Sequence, residues 1–133
     1  FWMTDPAGLE VGGCCLSISL RDYARMGMMA MEGGPGIVAP GWFAQATRTH
    51  ADTGRGAGYG YGYQWWTYPQ HRFGAVGVFG QSVTVDPATK TVVAIVSAWP
   101  KATDQELSRQ RLAFLDRLFA AAKAPLARTP RRR

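Results

Sequence analysis

From residue 61 to residue 99 the chain gathers aromatic and β-branched residues into short runs and interrupts each with Gly, Pro or Asp. That pattern admits short antiparallel strands and little else. The runs 61–67, 73–79, 82–85 and 91–99 are predicted as three or four such strands, with Asp86, Pro87, Ala88, Thr89 and Lys90 forming a hairpin turn. The stretch 91–97, Thr-Val-Val-Ala-Ile-Val-Ser, is almost wholly apolar and is expected to be a central strand covered on both faces. A sheet this small with such a strand calls for further strands or helices to cover it.

The cover inside the chain is helical. From Ser19 the hydrophobic period changes, and Leu20, Tyr23, Ala24, Gly27, Ala30 and Met31 fall on one helical face. Ser19 with Asp22 resembles a capping box, and Gly33 with Gly34 supplies a stop, which predicts a helix over about residues 20–32. Pro40 opens a short second helix near Trp42. The Gly-rich segment 51–60 is predicted as loop. After Pro100, Thr103 and Glu106 form a capping box for a last helix to about Lys123, and Pro125 ends it. Leu107, Arg111, Phe114, Leu115, Leu118, Phe119 and Ala122 make a stripe wide enough to lie on a sheet. The fold class is therefore α+β: an antiparallel sheet with the C-terminal helix packed on it, as one domain over residues 1–124.

Four of the six net positive charges belong to the tail, and the body is nearly balanced. Arg128, Arg131, Arg132 and Arg133 lie in a Pro-containing terminus, and setting residues 128–133 aside leaves 11 basic against 9 acidic side chains. Residues 125–133 are read as a solvated, disordered basic tail, and a nucleic-acid-binding role would rest on them alone. No apolar run reaches the length needed to span a bilayer, and the start, Phe1-Trp2-Met3-Thr4-Asp5-Pro6, is not a signal peptide. That start reads as a chain cut from something longer. Cys14 and Cys15 are adjacent, which departs from ordinary disulfide geometry, so both are expected to be reduced structural thiols. Such thiols leave the compartment open. With His50 and His71 distant from them, no metal-binding spacing exists.

Chemistry is sparse. Neither Gly-x-Ser-x-Gly nor Ser-x-x-Lys occurs, since the third residue after each serine is Leu20, Asp22, Val85, Pro100 or Arg111. His50 and His71 are read as loop residues, Asp86 as a turn residue accepting local N–H bonds, and Trp65 and Trp66 as core aromatics with a ligand groove as the alternative.

Three segments carry a likeness. Gly12-Gly13-Cys14-Cys15 followed by Ser19-Leu20-Arg21-Asp22-Tyr23-Ala24-Arg25-Met26-Gly27 resembles the Gly-Gly and Thr/Ser-x-Arg-Asp-Leu-Ala-Arg-Phe-Gly segment of β-lactamase-related serine hydrolases. Tyr59-Gly60-Tyr61-Gly62-Tyr63-Gln64-Trp65-Trp66 resembles the Tyr-Gly-Trp strand of that superfamily. Phe73-Gly74-Ala75-Val76-Gly77-Val78-Phe79-Gly80-Gln81, running into Val85-Asp86-Pro87, resembles its third active-site motif. The nearest branch is the 6-aminohexanoate-oligomer hydrolases and related esterases, sister to class C β-lactamases and DD-peptidases.

The resemblance implies the C-terminal portion of the serine β-lactamase/transpeptidase fold and cleavage of amide or ester bonds through an acyl-enzyme, with no metal or cofactor. It also implies that the Ser-x-x-Lys nucleophile and its tyrosine belong to an N-terminal part absent here, which would be this chain's partner beside a small-molecule substrate. Where penicillin-recognising relatives carry Lys-Thr-Gly or His-x-Gly, this sequence has Ala75 and Val76 before Gly77, so a cation for a β-lactam carboxylate is missing. By the family pattern the backbone N–H of Val78 donates to the oxyanion, while Ala75, Gly77, Gly80 and Gln81 meet the substrate. The rival reading is a non-catalytic fragment or degenerate homologue that binds a ligand or partner.

Overall fold

Residues 82–86, Ser-Val-Thr-Val-Asp, are the deepest part of the molecule. In this computed structural model, which describes residues 1–123, all five are buried and form the strand around which the rest is layered. Six antiparallel strands follow one another in sequence order: β1 (Ala51–Asp52), β2 (Gly60–Tyr61), β3 (Trp66–Tyr68), β4 (Arg72–Val76), β5 (Ser82–Asp86) and β6 (Thr91–Ile95). The first arises inside the segment predicted as loop and the second at its end, where Ala51 pairs with Tyr61 and Asp52 with Gly60. The basic tail, residues 125–133, lies outside the described residues.

Alternation along β5 sends its side chains to opposite layers. Val83 and Val85 face α1 (Leu20–Met31), where a β-carbon on Gly27 would meet both valines and Val92. Ala30, Phe43, Phe73 and Val85 make the core of this layer, and Phe43 comes from the short α2 (Trp42–Ala46). Trp65 packs edge-on against Phe43 and Phe73, so the core reading of this tryptophan holds. The other face of the sheet receives α3 (Gln105–Lys123) through Leu115 and Phe119, which are 3% and 1% exposed. Arg72 of β4 closes that layer, with its guanidinium over the Phe119 ring and a 2.7 Å bond to Asp116.

Several expectations need correction. Strand β6 does have helices on both faces, but it ends the sheet order and is not central; β5 lies inside the sheet, paired with β4 and β6, and is buried along its whole length. The stripe on α3 is rotated from the predicted one. Phe114 is 52% and Leu118 37% exposed, while Leu115 and Phe119 point inward. An apolar helical arc wider than the contact it makes does not say which edge is buried. The cap of α3 is Asp104 and not Thr103, since Asp104 Oδ1 accepts the Leu107 N–H at 2.9 Å. At α1 the expected cap forms, with Ser19 Oγ accepting the Asp22 N–H. The chain then leaves α1 through Gly33 and Gly34, both at positive φ.

Candidate active-site wall

Where β4 ends, the chain reverses over residues 77–81. Gly77 donates its N–H to Gln81 O at 2.8 Å and Gly80 donates to Gly77 O at 3.1 Å, so Val78 and Phe79 are the central residues of a tight turn. Gly80 has φ +91°, the left-handed residue that lets such a turn re-enter a strand. The strand predicted over 73–79 therefore stops at Val76, and Val78 sits at the hairpin tip. Its side chain is 54% exposed and its carbonyl accepts the Thr103 N–H at 2.7 Å. Its own N–H donates to no backbone carbonyl among the described residues.

Beside this hairpin lies a cavity of about 580 Å³. One wall is the end of β4, with Ala75, Val76 and Gly77, together with Gln81. The opposite wall is the strip 12–18, backed by Trp2 and Tyr23. Among the described residues, no Lys, Arg, Asp or Glu lines it, and the buried Gln81 Oε1 has no hydrogen-bond partner. It lies against Gly77, where a β-carbon would stand 2.5 Å from it, so a side chain there would make the Gln81 amide shift. Burial pushes the Tyr23 phenol above its ordinary value, a shift that Arg111 partly offsets, so its hydroxyl stays protonated and able to donate.

Of the residues singled out in the sequence, Ala75, Gly77 and Gln81 line this cavity, and Val78 follows directly on Gly77. Gly80 is buried beneath Trp99, with no space for a β-carbon, and does not line the cavity. The histidines are elsewhere. His50 stacks on Tyr63 at 4.3 Å and its Nε2 lies 2.9 Å from Gln45 O, while His71 is exposed beside β4. Asp86 is a turn residue, as expected: its Oδ1 accepts the Ala88 and Thr89 N–H groups. Tyr23 and Trp2 were not singled out for the site. Tyr23 was assigned to the packing face of α1, and no periodicity tells packing against a sheet from lining a cavity beside it.

The cysteines depart from expectation outright. Cys14 and Cys15 are joined as a disulfide and leave no free thiol. The ring is accommodated by Cys15 taking φ +74°, in the left-handed region.

Residues 4–117 match the Beta-lactamase family. The chain belongs to this family. It is 30% identical over 110 residues to the 6-aminohexanoate-dimer hydrolase of Paenarthrobacter ureafaciens, a match covering 72% of this chain and 28% of that protein. A solved structure from Bacillus anthracis, described as a 6-aminohexanoate-dimer hydrolase, superposes with a TM-score of 0.70 at 24% identity, over 93% of this chain and 34% of that one. The fold is thus that of a portion of these larger proteins, and the antiparallel sheet with a C-terminal helix stands as predicted. The chain spans about a third or less of the length of the relatives it matches.

Proposed function

We propose that this chain builds one wall of the acyl-transfer site of a serine hydrolase that cleaves amide or ester bonds. The observation that carries the reading is the uncharged cavity lined by Gly77, the residue before Val78, whose N–H donates to no backbone carbonyl among the described residues. A tetrahedral intermediate places negative charge on the former carbonyl oxygen. A backbone donor held by a closed turn meets that charge without reorganising, a contribution on the order of 3 kcal/mol in comparable sites. Ala75 and Val76 stand where penicillin-recognising relatives hold a cation, and the absence of any charged side chain from this wall favours an amide or ester that needs no carboxylate contact at this position over a β-lactam.

In this reading the attacking serine and its lysine lie outside these residues, because the five serines, Ser17, Ser19, Ser82, Ser97 and Ser108, have no lysine one helical turn on. The 6-aminohexanoate dimer named for the Paenarthrobacter ureafaciens relative, a linear amide, is the substrate class to test first.

The test replaces the Val78 amide by an ester in a longer protein that carries this segment with a Ser-x-x-Lys motif. Deleting only the N–H is expected to lower kcat a hundredfold or more, while Val78→Ala keeps most of it. An ester variant that folds and stays within about threefold of the amide would end the oxyanion assignment. The chain by itself is expected to show no turnover of nitrophenyl esters and no fluorophosphonate labelling. Stoichiometric labelling of any of its five serines, with turnover lost on mutating that serine, would contradict this.

A further inference from the structure

The strip that forms the outer wall of the cavity is tied to the first residues of the chain by backbone bonds, the shortest from the Ser17 N–H to Phe1 O at 2.7 Å. Residues 1–19 are exposed except for the half-buried Val11, and they form an irregular hairpin joined by isolated pairings of Trp2 with Leu16 and Thr4 with Glu10. Two of its ties end on the cysteines. Cys15 O accepts the Met3 N–H at 3.3 Å, and Cys14 O at 3.3 Å shares the Trp2 indole N–H with Val11 O at 3.1 Å. Both cysteines also line the cavity and are open to solvent. Cys15 holds φ +74°, a region that residues with a β-carbon rarely adopt.

We propose that the Cys14–Cys15 disulfide is a redox switch that sets the shape of the cavity wall. The ring fixes the 14–15 backbone. Once it opens, nothing covalent keeps Cys15 at positive φ, and its return to an ordinary conformation turns the carbonyl that ties Met3. The strip 12–18 then loosens from residues 1–4 and the wall opposite Gly77 moves. The reductant is a dithiol, either a small molecule or a protein carrying two thiols. One of its thiolates attacks a cysteine Sγ, the Sγ–Sγ bond breaks and a mixed disulfide forms. Its second thiol displaces the cysteine, so the reductant leaves as a cyclic disulfide and two electrons and two protons remain on Cys14 and Cys15. Oxidation by a disulfide runs the same steps backward. That the switch regulates substrate binding rests on the function proposed above; the switch itself does not.

The experiment uses the whole chain after equilibration with oxidised glutathione, after reduction with dithiothreitol, and as the Cys14→Ser/Cys15→Ser double variant. Iodoacetamide followed by mass measurement counts free thiols, and amide hydrogen exchange is followed on peptides from residues 1–18, α1 and β5. The oxidised chain is expected to take up no label and the reduced chain two. Exchange over residues 1–18 should rise at least threefold on reduction, with α1 and β5 unchanged. The double variant should match the reduced chain in either buffer. Two labels on the glutathione-treated chain, equal exchange in the two states, or a dithiothreitol response in the double variant would each overturn the switch. A longer protein carrying this segment that proves inactive would count against the hydrolase reading while leaving these readouts intact.

Discussion

Gly27 faces Val83 across the interface of helix and sheet with no room for a side chain. A β-carbon there would stand 2.6 Å from Val83 Cγ2 and equally close to Val92 Cγ1. The separation of α1 from β5 and β6 is set by this one absence, and with it the position of Tyr23, one turn earlier on the same helix and in the cavity wall.

Gly27→Ala therefore sets two effects against each other. Alanine improves helix propensity by about 1 kcal/mol, whereas forcing a methyl against two packed valines costs about 1–3 kcal/mol. Val83 lies on a strand paired on both edges and Val92 on the strand beside it, so the packing cost is expected to dominate. Urea unfolding should show a net loss of stability. A gain would mean that α1 can lift from the sheet freely.

Phe114 and Phe119 offer a sharper contrast, because they are the same residue type on one helix. Phe119 is 1% exposed, so Phe119→Ala should cost about 3–5 kcal/mol. Phe114 is 52% exposed, and Phe114→Ala should stay within about 0.5 kcal/mol of wild type. Denaturant midpoints of the two variants decide the orientation of α3 directly.

These two phenylalanines also mark how far the sequence could be read. The existence and type of α1, α3 and the strands after β2 followed from period, caps and turn residues, because those signals are local. Which edge of the α3 stripe is buried depends on how the helix lies on the sheet, and no residue of α3 encodes that. Strand β6 was misplaced for a related reason. Two-sided burial and a central position produce the same apolar run, and only pairing separates them. Ala75, Gly77 and Gln81 were legible through the third motif, and the structure brings them to one cavity. The bond between Cys14 and Cys15 was not legible, since it turns on a single backbone dihedral.

Asp22 gives α1 a pH-dependent anchor. Its carboxyl is held below the ordinary aspartate value, first by the hydrogen bond from Ser19 Oγ and then by Arg25. A carboxyl whose folded value is depressed stabilises the fold fully above its unfolded value and loses that contribution as the pH falls through the folded one. Asp22→Asn should thus be less stable than wild type at neutral pH, with the difference shrinking in acid below the ordinary aspartate range. Paired unfolding curves at the two pH values test this, and a difference that grows in acid would reverse the sign.

Gly80 joins the stability of the hairpin to the position of Val78. It adopts φ +91° and lies beneath the Trp99 indole, so Gly80→Ala meets two separate penalties. The left-handed backbone costs a residue with a β-carbon about 1–2 kcal/mol, and the collision with the ring adds about 1–3 kcal/mol of overpacking. The two can be separated by a double-mutant cycle, because removing the indole relieves only the second. In a Trp99→Ala background, Gly80→Ala should cost about 1–2 kcal/mol, against roughly 2–5 kcal/mol in the wild-type chain. The same cycle bears on the proposed site. The Phe79 carbonyl accepts the Trp99 N–H and the Val78 carbonyl accepts the Thr103 N–H, so the hairpin tip is tied to the segment that Gly80→Ala would push away. Hydrogen exchange of the Trp99 and Thr103 amides should rise in Gly80→Ala. It should return toward wild type for Thr103 when Trp99 is also trimmed, and equal costs for Gly80→Ala in both backgrounds would show that the indole does not set the turn.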